Sequence, residues 1–362
     1  MPSSRVKTRP SVELHEQNRQ DMKALVLRQH GEINSLELAS DHPLPELKPG
    51  FAVIKVTASS FNYHDIFTVR GMPGITIPFP VVIGLDVVGT IAELPDGTAD
   101  WRVGDRVLVH PINSEGNLVG EVIDGGMAQY ALVELGQLIA IPDAVTDYQA
   151  AALPVAYGTA HRMIVGKGAV HAGDKVLVLG ASGGVGTASV ILAKKLGAYV
   201  IAAVGDDDKG KRLLDAGADE VFNYREIGIA QYVKEKHGKP SRFDRGPGMD
   251  VVVNFTGGDT WHETLRATGL GGRILVCGAT AGFAPQEDLR YIWSFEQQII
   301  GSNGFATEDF VALLAGIAAG TFEPVIDSVV PLEEARDALQ RLENREFVGK
   351  IIVDPWLGVN ND

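Results

Sequence analysis

A single cysteine, Cys277, stands in a chain of 362 residues. One thiol excludes an internal disulfide framework and any metal site built from several thiolates, and it fits a reducing compartment, so a cytoplasmic protein is expected. No apolar run reaches the roughly 20 residues that a membrane-spanning helix needs. The first 21 residues, MPSSRVKTRPSVELHEQNRQD, lack the apolar centre of a secretion signal and read as a mobile tail. Basic residues are also in short supply: 32 Lys and Arg face 46 Asp and Glu, for a formal net charge of -14. That balance repels phosphate backbones and anionic lipid surfaces, so neither nucleic acid nor membrane is an expected partner.

What is present suits a large interior, with 45% hydrophobic residues and length enough for two domains. From Met22 onward come short β-type runs: KALVLR (23–28), FAVIKVTAS (51–59), VVIGLDVVGTIAEL (81–94), DRVLVH (105–110) and AQYALV (128–133). Their spacing predicts a strand-rich barrel or sandwich. After about Leu153 strands alternate with helices. VLVLG (176–180) leads to a helix from about Val185 to Leu196, and YVIAAV (199–204) to a helix from about Lys209. EVFN, DVVVNF, RILVCG and QIIGS follow. Six short apolar strands separated by helical stretches predict an α/β, doubly wound parallel sheet. The last segment predicts a helix from about Leu332 to Arg345 and an apolar strand that returns to the first domain. SRFDRGPG (241–248) reads as a loop, and Trp293 and Phe295 as core packing. The expected division is a tail over 1–21, a β-rich domain over 22–154 completed by 322–362, and a parallel-sheet domain over 155–321.

Directly after the first strand of the second domain comes Gly180-Ala181-Ser182-Gly183-Gly184-Val185-Gly186, opening an amphipathic helix. Glycines let the backbone turn tightly and bring N–H groups against a pyrophosphate, and a helix amino terminus favours negative charge. Ala181, Gly183 and Gly186 occupy the three positions of a dinucleotide fingerprint. About 20 residues on, the strand ends at the neutral Val204, which leans toward NADP(H). Asp206, Asp207 and Asp208 follow it, and Lys209, Lys211 and Arg212 could attract a 2′-phosphate. Asp206 and Lys209 are therefore candidate cofactor contacts, with helix capping as the other reading of the aspartates. NAD(H) stays open.

The segments FNYHDIFTVRG, VVIGLDVVGTI, WRVGDRV, GGMAQYALV, ALPVAYGTAHRM, LGASGGVGTASVILAKKLGA, GADEVFNYRE and FVGKIIV, in that order, resemble the medium-chain dehydrogenase/reductase superfamily near its zinc-type alcohol dehydrogenase-like and quinone oxidoreductase branches. The resemblance covers about residues 23–355. It implies a GroES-like substrate domain, a Rossmann cofactor domain and a cleft between them. It also implies cofactor contacts from Thr159, Tyr224, Thr256, Gly257, Gly278, Ala279 and Asn303, and a homodimer joined through QIIGS.

Zinc members of the family carry Cys at the position matching Asn62, Gly-His-Glu at Gly84-Leu85-Asp86, and four clustered Cys in the stretch matching 110–127. This chain has none of those thiols or that imidazole, so no zinc is expected. Loss of the Lewis acid shifts the expected chemistry from alcohol oxidation to reduction of a small hydrophobic quinone or α,β-unsaturated carbonyl, whose enolate hydrogen-bond donors can hold. Asn62, Tyr63 and His64 are the candidate catalytic residues. Asn62 would orient a carbonyl, and Tyr63 or His64 would supply a proton. The alternatives are an alcohol dehydrogenase-type reaction and an NADPH-binding sensor or scaffold without turnover.

Overall fold

The computed structural model describes residues 21–359. The expected tail lies outside the described residues except for Asp21, which already belongs to a strand. The β-rich part runs β1 (Asp21–Leu27), β2 (Glu37–Pro43), β3 (Phe51–Ser60), helix α1 (Tyr63–Arg70), β4 (Val81–Val82), β5 (Asp86–Glu93), β6 (Arg106–Val109), β7 (Tyr130–Glu134) and β8 (Leu138–Ala140). The parallel part contributes β9 (Lys175–Val178), α2 (Gly184–Lys195), β10 (Tyr199–Val204), α3 (Asp207–Asp215), β11 (Glu220–Asn223), β12 (Met249–Val253), β13 (Thr268–Val276) and β14 (Gln298–Gly301). The chain closes with β15 (Ile326–Pro331), α4 (Ala335–Glu343) and β16 (Lys350–Asp354).

β11-β10-β9-β12-β13-β14 form one parallel sheet, and its order reverses between β9 and β12. Val176 to Val178, Val200 to Val204 and Val251 to Val253 are wholly buried, as strands covered on both faces must be. In the β-rich part, β15-β16-β3-β5-β6-β8 form a second sheet, with β7 also on β3, and β2-β1-β4 form a third. β16 runs antiparallel to β3, so the C-terminal segment returns to the β-rich part as expected. His110 stands edge-on to Phe305 and Phe310, which ties that part to the cofactor side. No helix among the described residues is long and apolar enough to cross a membrane.

Several local expectations change. The run 81–94 is not one strand: Val81–Val82 pairs with β1, whereas Asp86–Glu93 joins β3 and β6. The chain bends between them at Gly84, whose φ of 102° suits glycine. α3 starts at Asp207, two residues before the expected Lys209, because Asp206 caps it. The expected helix over 332–345 divides into a 3₁₀ turn at Leu332–Glu334 and α4. Trp293 is 70% exposed and Phe295 half-buried, so neither is a core residue; the short helix Leu289–Ser294 that carries Trp293 buries no side chain completely, and only Tyr291 and Ile292 pack partly against the Trp261 cluster.

Candidate active site and cofactor cleft

The glycine-rich loop fills the turn from β9 into α2. Gly180, with φ 61°, makes the tight turn, one residue before Ala181, which the fingerprint had put first. A Cβ on Gly186 would overlap the Gly180 carbonyl and Ala181, so this glycine lets helix and strand pack closely. Gly183 differs from both. It is the N-cap of α2, in extended backbone, and a Cβ there would find only the Gly180 oxygen, 3.6 Å away. Unfilled space at a helix amino terminus is what an approaching pyrophosphate requires.

The other expected cofactor residues gather at the carboxyl ends of the same strands. Thr256 and Gly257 follow β12, and Gly278 and Ala279 follow β13. The two loops are joined by Ala281 N–H to Thr256 O (2.7 Å) and Gly258 N–H to Gly282 O (2.9 Å). Asn303 is exposed just beyond β14, and Thr159 is buried. Tyr224 follows β11, and its hydroxyl reaches Gly205 at the end of β10. Thr256 Oγ1 and Ser302 Oγ, both at strand ends, are buried without a hydrogen-bond partner. Such atoms need a polar partner, so a dinucleotide fits this crevice at the point where strand order reverses.

Asp206 and Lys209 have other work. The Asp206 carboxylate accepts from Asp208 N (2.9 Å) and Lys209 N (3.2 Å), the capping alternative, and the Lys209 ammonium donates to Arg345 O. Lys211 pairs with Asp208, and Arg212 with Asp327. Arg225, which the sequence reading passed over, lies beside Gly205. Among the described residues its guanidinium has no hydrogen-bond or ion-pair partner.

Across the cleft, Asn62 is the N-cap of α1. Asp65 accepts from Asn62 N (2.7 Å) and Gly84 N (3.2 Å), which fixes the first turn of the helix against the bend before β5. Complete burial pushes the Asp65 carboxyl up to about 7, against the pull of the Asn62 N–H. The buried face of α1 mixes Asp65, Ile66, Thr68 and Val69, so no apolar stripe announces this helix. The Asn62 amide is held at both ends: Nδ2 donates to Asp86 Oδ2 (2.8 Å), and Oδ1 accepts from Lys350 Nζ (2.6 Å). Lys350 also donates to Phe61 O (2.6 Å) and Asp86 Oδ2 (3.1 Å), while Asp86 accepts further from Ser60 Oγ (2.5 Å) and Val155 N (2.9 Å). Lys350 is 2% exposed and Asp86 wholly buried, a pair that is tolerable only because every donor and acceptor is used. The Lys350 stem rests on Gly184, so the pair links the Asn62 cluster to the glycine-rich loop.

The second Nδ2–H of Asn62 has no hydrogen-bond partner among the described residues. The Tyr63 ring packs edge-on to Phe67 at 5.3 Å, against the β-rich core. His64 Nε2 meets Glu121 Oε2 at 2.5 Å. Among the described residues, no group of three or more His, Cys, Asp or Glu side chains is placed to hold a metal ion. The donor set around Asn62 is an amide, a carboxylate and an ammonium, and an ammonium has no lone pair to offer zinc.

A family model described as an alcohol dehydrogenase GroES-like domain matches residues 48–143, and one described as a zinc-binding dehydrogenase matches 184–319. A quinone oxidoreductase of Homo sapiens is 30% identical over 341 residues, covering 92% of this chain and 97% of that protein. The chain belongs to the medium-chain dehydrogenase/reductase superfamily. An NAD-dependent alcohol dehydrogenase matches with a TM-score of 0.84 at 30% identity, over 92% of this chain and 99% of that one. A 2-octenoyl-CoA carboxylase reductase, CinF, in complex with NADP and 2-octenoyl-CoA, matches at 0.83 and 27% identity, over 95% and 89%. As a member of this superfamily the chain is an NAD(P)H-dependent oxidoreductase with a GroES-like part and a Rossmann part.

Lys350, Glu121, Arg225 and Ser302 were not among the candidate site residues, although Lys350, Arg225 and Ser302 stand in the segments FVGKIIV, GADEVFNYRE and QIIGS. Only Lys350 left a signal, as a charge opening the apolar run KIIV. The loop 281–296 exposes Phe283, Leu289 and Trp293. It borders an open cavity of about 660 Å³ whose lining includes Asp259, His262, Glu287, Asp288 and Arg290.

Proposed function

We propose that the enzyme is an NADPH-dependent reductase of quinones or α,β-unsaturated carbonyl compounds that works without zinc. The observation that carries this reading is the Asn62–Asp86–Lys350 cluster, which puts hydrogen-bonding groups where zinc relatives hold their metal. A localised alkoxide calls for a Lewis acid or an immediate proton donor, whereas an enolate spreads its charge and is held by N–H donors such as the free Asn62 hydrogen. The quinone oxidoreductase and the NADP complex with 2-octenoyl-CoA support the same class.

Gly183, Thr256, Gly257, Gly278, Ala279 and Ser302 would hold the cofactor, with Thr159 and Asn303 toward the nicotinamide and Tyr224 toward the adenosine. When bound, the cofactor supplies a hydride. The chain orients the acceptor carbonyl through Asn62, and His64 or Tyr63 returns a proton. Arg225 supports the preference for NADPH, since it is free to meet a 2′-phosphate while Asp206 is committed to its cap. Arg225→Ala is expected to lower the NADPH/NADH ratio of kcat/KM about tenfold, the worth of one charge-assisted contact. An unchanged ratio removes Arg225 from the cofactor site.

The deciding assay follows NADPH oxidation by chelator-treated protein with a quinone, a 2-enal and a saturated aldehyde. Turnover of the conjugated acceptors alone supports the proposal. The similarity to an alcohol dehydrogenase favours a second reading, and chelator-sensitive reduction of the saturated aldehyde would establish it. Binding of NADPH with no turnover would favour a sensor or scaffold. A homodimer through β14 is proposed from its edge, where Gln298, Ile299 and Gly301 are exposed; sedimentation at monomer mass would remove it. The boundaries at 154/155 and 321/322 belong to this reading, as does a cytoplasmic setting, supported by the lone cysteine.

A further inference from the structure

Glu121 lies in the loop that packs over Gly84 and is 5% exposed. Among the described residues its side chain makes one hydrogen bond, from His64 Nε2 at 2.5 Å, while the His64 side chain keeps 30% of its surface open. A carboxylate buried with a single partner is costly unless that partner is cationic at some point in the working cycle. An ionised carboxylate only accepts, so Nε2 carries the hydrogen and Nδ1 is the nitrogen left for exchange. Nδ1 has no protein partner among the described residues.

We infer that Glu121 is a positioning residue that holds His64 in the Nε2–H form and balances its imidazolium, so that His64 Nδ1–H delivers the proton of the reduction. This rests on the proposal that the enzyme reduces conjugated carbonyl compounds. In that reaction the C4–H bond of a reduced nicotinamide would break as its hydride forms the new C–H bond at the β-carbon, the nicotinamide being oxidised, and the C=C pair would move toward the carbonyl as an enolate. The Nδ1–H bond breaks and its proton goes to the enolate. His64 returns to the neutral Nε2–H form, and water reprotonates Nδ1 through the open face of the ring. Glu121 touches neither substrate nor cofactor and acts only through His64.

Two measurements test this. Glu121→Gln keeps the shape and loses the charge. Its kcat on a 2-enal is expected to fall about tenfold or more, a part of the roughly 10²–10⁴-fold that a general acid contributes, with KM for NADPH unchanged. In a His64→Gln background the same change adds no further loss. A wild-type kcat in Glu121→Gln, or losses that multiply in the double variant, would overturn the role. The second measurement is ¹⁵N NMR of histidine-labelled protein, which needs no turnover. It is expected to find His64 protonated at Nε2 with a slowly exchanging low-field proton that Glu121→Gln abolishes. An Nδ1–H tautomer in the wild type would overturn the inference by itself. The expected NMR signature with no turnover of any conjugated acceptor would instead overturn the reading beneath it, and the proton-delivery role with it.

Discussion

Gly183→Val is expected to weaken NADPH binding by about 100-fold or more, near 2.7 kcal/mol, while the unliganded protein melts within about 2 °C of wild type, the range of a surface change. The two effects separate because of where a side chain at 183 would go. The backbone there is extended, with φ −75° and ψ 175°, which any residue adopts, and the nearest atom to a Cβ is 3.6 Å away. The fold therefore has room for a side chain's first carbon at 183. The pyrophosphate does not, if it approaches the N–H groups that open α2. Gly186→Val is the contrasting case, since its Cβ would overlap the Gly180 carbonyl and should cost the fold itself. Calorimetric titration with NADPH beside thermal unfolding reads both. Wild-type affinity in Gly183→Val would mean that this loop does not cradle the cofactor.

Lys350→Met is expected to lower the free energy of unfolding by about 3–5 kcal/mol, the cost of leaving one charge of a buried pair uncompensated. Asp86 would keep acceptors for Ser60, Asn62 and Val155 but lose the only cation in contact with it among the described residues. Phe61 O and Asn62 Oδ1 would lose their donor as well. Restoring neutrality with Asp86→Asn in the same chain should recover at least about half of the loss, because the penalty belongs to the unpaired charge more than to the missing contacts. Urea unfolding of the three variants distinguishes this from an ordinary packing defect, in which the second substitution would add to the first.

The parallel sheet was legible because strands covered on both faces become apolar runs, and all six, from VLVLG to QIIGS, are strands of that sheet. The glycine-rich loop was legible for a related reason: the tight turn at Gly180 and the close packing at Gly186 each demand glycine, within seven residues of one another. β2 was not legible, because ELASDHP buries only Ala39 deeply and shows no alternation. α1 was missed although it begins with the candidate catalytic residues, since Asp65 and Thr68 take buried places that apolar residues usually fill. The site itself depends on contacts over long separations. Asn62, Asp86 and Lys350 meet across 264 and 288 residues, and His64 and Glu121 across 57. Local periodicity carries no record of such meetings, and the motif around Asn62 indicated a place without its partners.

The expected course of the reaction is hydride transfer to a conjugated carbon and not to a carbonyl carbon. Its most direct test is to turn over a 2-enal with chelator-treated enzyme and NADPH deuterated at the transferable C4 position, and to locate the label by NMR. Deuterium at C3 of a saturated aldehyde is the predicted result. Deuterium at C1 of an allylic alcohol would contradict it and make the enzyme a carbonyl reductase.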